Sequence, residues 1–190
     1  MKYEITSSPA AEPVTLDEAK TQLRVDANDE DGLIQSLISV ARRKVEQETG
    51  RILISQTVKA YWDKWPAAGV LPLPVYPAAA ITHVKYLDEN GDLQTWASSN
   101  YSEDLVGMTP RIVIKPDSDA PDVGDYPNAV QVTYTAGGAT TSTVPAEIKH
   151  SILTTLTMLY ERREDMKINE NTPGIRTSAW LQFGSRANLI

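Results

Sequence analysis

Four acids, an amide and a glycine crowd into seven residues at Asp26-Ala-Asn-Asp-Glu-Asp-Gly32. Oxygen-rich loops of this kind hold calcium in EF-hands, where ligands fall at positions 1, 3 and 5, glycine at 6 and glutamate at 12. Counted from Asp26, position 6 is Asp31 and position 12 is Leu37. Shifted by one to align Gly32, the loop opens on Ala27 and closes on Ile38. Neither register supplies the ligands. The stretch reads instead as a helix start, with Asn28 or Asp29 as the cap and Glu30 and Asp31 at the positive end of the dipole.

Other candidate chemistry is thin. His83 and His150 are the only histidines, and no HExxH-like spacing gathers them with carboxylates into a metal site. Cysteine is absent, which removes disulfides, thiolate zinc sites and thiol nucleophiles. There is no G-x-S-x-G, Walker loop or dinucleotide fingerprint. The stretch "AGGATTST" (136–143) has glycines and hydroxyls but lacks the lysine of a phosphate loop, so it reads as a flexible joint. Trp62, Trp65 and Trp96 could stack sugars or bases if exposed; otherwise they close the edge of a core.

The elements around these residues are legible. Thr15 followed by Glu18 is a capping box, with Val14 placed as a hydrophobic staple onto Ala19. It predicts a short helix ending near Arg24. Ile34, Leu37, Ile38, Ala41 and Val45 form an amphipathic stripe for a second helix, about Glu30 to Thr49, with Gly50 as its stop. The period then shortens. "SQTVKAYWDKW", "AITHVKYLDENGDLQTW", "PRIVIKP" and "NAVQVTYTAGG" read as strands, the second a hairpin turning at Asn90-Gly91. "VLPLPVYP" suits an edge strand because proline cannot complete a ladder. Pro145 is placed for a first helical position, and Ile148, Ile152, Leu156, Leu159 and Tyr160 mark a late helix reaching about Met166. The expected fold is α+β: a small helical bundle with an inserted antiparallel β-region. The helical trunk spans 14–50 and 143–166, and the insertion 51–142. An extended arm (1–13) precedes them and a tail (167–190) follows.

Charge is unevenly spread. Nine acids between Asp88 and Asp125 face only Arg111 and Lys115, so the chain's net −7 falls in that stretch. Such a surface opposes broad binding to phosphate backbones. The opening residues lack the apolar core of a signal peptide, and no apolar run is long enough to span a membrane.

Four segments, in order, resemble tailed-bacteriophage head–tail connector proteins, also called head-completion or adaptor proteins. They are "VTLDEAKTQLRVDANDEDGLIQSLISVARRKVEQETGR", "LPLPVYPAAAITHVKYLDENG", "NAVQVTYTAGG" and "VPAEIKHSILTTLTMLYERRED". The proline-interrupted piece is similar to the variant with a β-rich insertion between the helices. The tail "IRTSAWLQFGSRANLI" departs from the family pattern.

This resemblance implies a non-enzymatic structural protein of a phage or prophage, with no catalytic residues and no cofactor or metal. Its expected partners are the portal, tail or stopper proteins, and further copies of itself in a ring of about a dozen. DNA would pass without sequence-specific binding, and no membrane is involved. The expected location is the virion neck, and the bacterial host cytoplasm during assembly. Candidate partner-interface residues are Arg42, Arg43 and Lys44 on the second helix and Trp180, Leu181 and Phe183 in the tail. Candidate channel-facing acids are Asp88, Glu89, Asp92, Glu103 and Asp104. A different class, a carbohydrate- or peptide-binding β-module with helical flanks, requires the tryptophans to lie exposed on one face of the sheet.

Overall fold

The first helix is set by a side-chain exchange at its start. The Thr15 hydroxyl accepts the Glu18 N–H at 3.2 Å, and the Glu18 carboxylate accepts the Thr15 N–H at 2.8 Å. In this computed structural model, which describes residues 1–162, helix α1 then runs over Leu16–Leu23 and ends on Arg24 in the left-handed region. Helix α2 (Asp31–Thr49) buries Ile34, Ile38, Ala41 and Val45 on one face and stops at left-handed Gly50. Helix α3 (Ala146–Glu161) buries Ile152 and Leu156. The three share one apolar core with Val14, Ala19, Leu53, Ile54 and Val144. Lys149 pairs with Glu18 at 2.9 Å, tying α3 to the capping box of α1.

Two helix boundaries differ from the sequence expectation. Pro145 is the cap of α3, one position before the first helical residue. Glu30 caps α2 without a side-chain bond. Asn28 does not cap because Lys20 takes its side-chain oxygen at 2.7 Å, and the same ammonium lies 2.8 Å from Asp31. The acidic turn is thus neutralised by a cation of the chain's own first helix. The helix expected to reach Met166 is described to Glu161, with Arg162 as its cap; residues 163–166, like the tail, lie outside the described residues.

Between α2 and α3 the chain builds seven strands: β2 (Gln56–Trp62), β3 (Val70–Pro72), β4 (Ala78–Leu87), β5 (Leu93–Trp96), β6 (Tyr101–Asp104), β7 (Arg111–Ile114) and β8 (Val130–Ala136). The arm is not purely irregular. Lys2–Ile5 forms β1, which pairs antiparallel with β2, placing Ile5 opposite Val58. One sheet has the order β1-β2-β8-β4-β5 and the other β3-β7-β6. Alternation on β2 turns Val58, Ala60 and Trp62 inward, and β8 turns in Val130, Val132 and Tyr134. Leu71 from β3 and Ile112 from β7 join the same core.

The two bodies meet where the chain leaves α2 and where it returns. Ile54 bridges Ala139, and the Leu53 carbonyl accepts the Gly138 and Ala139 N–H groups. Gly137 sits there at φ 81, and a Cβ would fall 2.6 Å from the Ile54 carbonyl oxygen. The "AGGATTST" stretch is therefore a packed crossing at its start, not a loose joint. Gly137→Ala is expected to cost about 3 kcal/mol, combining a left-handed backbone with a backbone clash. Gly138→Ala, also at a positive φ (151) but with nothing within 4 Å of its Cβ, carries backbone strain without the clash and should cost less. Urea unfolding of the two variants checks this; equal midpoints would contradict it.

Candidate functional site

The crossing is held by charge as well as packing. Arg42 and Glu46 lie one helical turn apart on α2, so their side chains share a face. The Arg42 Nη1 donates to Glu46 Oε2 at 2.5 Å, and its Nε donates to Glu12 Oε2 at 2.7 Å. The other Glu46 oxygen accepts the Leu53 N–H at 2.8 Å, on the segment leading into the β-region. Thr141, on the return segment, donates its hydroxyl to the Glu12 carbonyl at 3.0 Å. Arm, helix, outbound link and return link thus converge on one buried guanidinium. Arg42 is 2% exposed and Glu46 6%. Burial pushes the Glu46 carboxyl above its ordinary pKa, against the lowering effects of the Leu53 N–H and the Arg42 charge.

This changes the place of one candidate interface residue. Arg42 does not belong to a basic surface patch; it is consumed inside the junction. Arg43 is exposed, and Lys44 is half-buried at 3.9 Å from Glu48. Trp180, Leu181 and Phe183 lie outside the described residues. What sequence reading missed was Glu12 in the arm, whose link to Arg42 spans thirty positions and leaves no local pattern.

The candidate acids separate into two loops and two kinds. Asp88, Glu89 and Asp92 share the β4–β5 turn. One Asp88 oxygen accepts the Asn90 and Asp92 N–H groups at 3.0 Å, and the other accepts the Gln94 amide at 2.9 Å. Those bonds, Gln94 first, hold its carboxyl below the usual range. Glu103 and Asp104 lie on β6, where Asp104 pairs with Arg111 at 2.9 Å. Asp88 and Asp104 therefore hold structure, whereas Glu89, Asp92 and Glu103 are exposed. Among the described residues no group of three or more histidines or acids could hold a metal ion.

The tryptophans form a packed cluster. Trp62 and Trp96 are 8% and 6% exposed. Trp65 packs against Trp96 with ring centroids 4.7 Å apart, and its indole donates to the Pro121 carbonyl. These rings close the β-core and offer no stacking face for a sugar or base. The concavities beside α1, lined by Asp17, Lys20, Thr21 and Arg24 among others, are open surface grooves. No helix of the described residues is long and apolar enough to cross a membrane.

A family described as "Phage gp6-like head-tail connector protein" matches residues 13–109. Among solved structures, one chain titled "Neck of empty GTA particle computed with C6 symmetry" is similar over 100% of this chain and 96% of its own length. That match has 20% identity and a TM-score of 0.74. A chain from the neck of a native gene transfer agent particle, computed with C12 symmetry, shares 19% identity over the same spans at a TM-score of 0.70. Another, from the virion of a native particle, shares 18% over the same spans at 0.72. At these identities the likeness is one of fold. No curated protein matches the chain.

Arg42→Ala would strand Glu46 in a site that already disfavours its charge. The expected loss is about 3–5 kcal/mol at neutral pH, as for other buried pairs broken on one side. A carboxyl whose folded pKa is raised is most stabilising when protonated. The penalty should therefore shrink as pH falls through the folded pKa of the stranded Glu46 toward its ordinary 4.5. Urea titrations across that range test it; a small, pH-independent penalty would contradict it.

Proposed function

The chain belongs to the phage gp6-like head-tail connector family, and from that premise we propose that it works as a closed ring joining the portal of a DNA-filled head to the tail. The protein is structural, a neck component of a phage-like particle. Its role is to dock, with no substrate to transform. The observation that carries this reading is the family match over 13–109, which takes in the arm's end, both early helices and the β4–β5 hairpin. The neck structures that share its fold were computed with six- and twelvefold symmetry, which supports a ring of about a dozen copies. A closed ring needs two different faces on each copy that meet around a rotation axis. A body braced at one internal junction suits that task, because neighbours must meet at a fixed angle.

Within the ring, Arg43, Lys44 and the tail residues Trp180, Leu181 and Phe183 are the proposed contacts to portal or neighbours. Of the exposed acids, Glu89 and Asp92 on the β4–β5 turn face the channel. There they repel the DNA backbone over about 8 Å at physiological salt.

Purified protein should bind the isolated cognate portal ring, and deletion of residues 174–190 should weaken that binding while leaving the circular dichroism of the remaining chain intact. Full-length protein that ignores the portal would contradict the docking role; an unfolded deletion variant would make the tail part of the core. Replacing Glu89 and Asp92 by their amides should slow DNA ejection from assembled particles. Ejection at the wild-type rate would remove the acids from the channel.

A further inference from the structure

Two apolar surfaces of this chain lie on different bodies and have no cover among the described residues. The first is the tip of the β6–β7 hairpin. Asp104 and Arg111 face each other in register and pair at 2.9 Å, closing its base. Leu105 turns back against the β-core. Beyond it Val106 is 87% exposed and Met108 71%, separated by Gly107 at φ 88. The hairpin thus carries an apolar knob on a braced stem. Methionine suits such a knob, since its flexible chain adapts to the surface it meets.

The second surface is a stripe on the outer side of α2. Leu33 and Val40 are 41% and 48% exposed, with Leu37, half-buried and partly packed against the helical core, between them. Spacings of four and three residues put these side chains in one row. It runs beside the row of Ile34, Ile38 and Ala41 that faces the helical core. One turn beyond Val40 the row meets Arg43, which is exposed and makes no ion pair among the described residues. On the knob's stem, Glu103 is likewise exposed and unpaired among them, in the segment that carries the chain's net −7.

We propose that the β6–β7 knob of one copy seats on the α2 stripe of the next, with Glu103 of the stem facing Arg43. The occupant is a second copy because the two surfaces match in apolar character and oppose in charge. They also sit apart on one chain, which is what a head-to-tail contact requires and a two-fold contact does not. Methionine and valine on a projecting tip are otherwise an aggregation liability that a soluble surface avoids. This contact rests on the ring reading above and supplies the two faces that reading calls for.

The chain has no cysteine, so introduced thiols report cleanly. The variant Val40→Cys/Met108→Cys would be assembled on the cognate portal, imaged, and then oxidised. A ladder of covalent oligomers extending past the dimer is expected from the double variant, with none from either single variant. Mixing the two single variants should give dimers only. In assembly assays, Arg43→Glu should lower the ring yield several-fold, and adding Glu103→Arg should restore it. Rings that form without a ladder would overturn this contact and leave the ring reading standing, whether residues 167–190 or the portal then cover the stripe. A cross-linked band containing portal would overturn it in the same way. Failure of wild-type protein to form any ring on the portal would sink both.

Discussion

One buried guanidinium fixes the geometry of this molecule. Arg42 bridges Glu12 and Glu46, and Glu46 reaches on to the backbone of Leu53. Each partner belongs to a different part of the chain, so the network brings arm, helix and β-region to one point. Transferring such charges from water is costly, and the raised pKa of Glu46 records that cost. An all-apolar junction of the same volume would hold the parts together with less penalty. What the charged one adds is direction, because a guanidinium satisfies its donors in only one arrangement. For a subunit of the proposed ring, an internal joint with a defined orientation matters more than extra stability.

The rest of the structure hangs from that joint. The helical body gathers around Ile34, Ile38, Ile152 and Leu156, and the β-body around Val58, Val132, Tyr134 and Leu71. Apolar burial stabilises each separately. The chain passes between them three times: through the arm from β1 to α1, and through the short passages at 52–54 and 137–139, which run side by side where Gly137 lets the backbones approach so closely. The outer surfaces carry an acidic segment on the β-body, Arg43 and Lys44 on the later half of α2, and exposed apolar side chains on each body.

Local signals were legible in the sequence. The capping box at Thr15 and Glu18 and the stripe on α2 depend on residues three and four apart, so a reading of spacing finds them. The β4–β5 hairpin follows from the turn chemistry of Asn90-Gly91, and the resemblance to connector proteins follows from segments in order. The non-local pairings were not legible. Strand β1 exists because Lys2–Ile5 finds the edge of β2 some fifty residues on. The separate sheet β3-β7-β6 joins "VLP" to "RIVI" across a long gap. Arg42 looked like one of three consecutive surface cations, since nothing in that run marks which of them points inward. Helical geometry placed it on the face of Ile38 and Val45, and only Glu12 and Glu46 make that placement tolerable. The acidic turn at 26–32 shows the same limit. Its role became clear with Lys20, eight residues before Asn28, lying against it.

The most direct measurement is electron cryo-microscopy of the neck of the particle that encodes this chain. A closed ring between portal and tail is expected, into which residues 1–162 fit as one rigid unit, with helical and β bodies at the relation fixed by Arg42. Density for this chain outside the neck would contradict it. So would subunits in the ring whose two bodies have separated at the Glu12–Arg42–Glu46 joint.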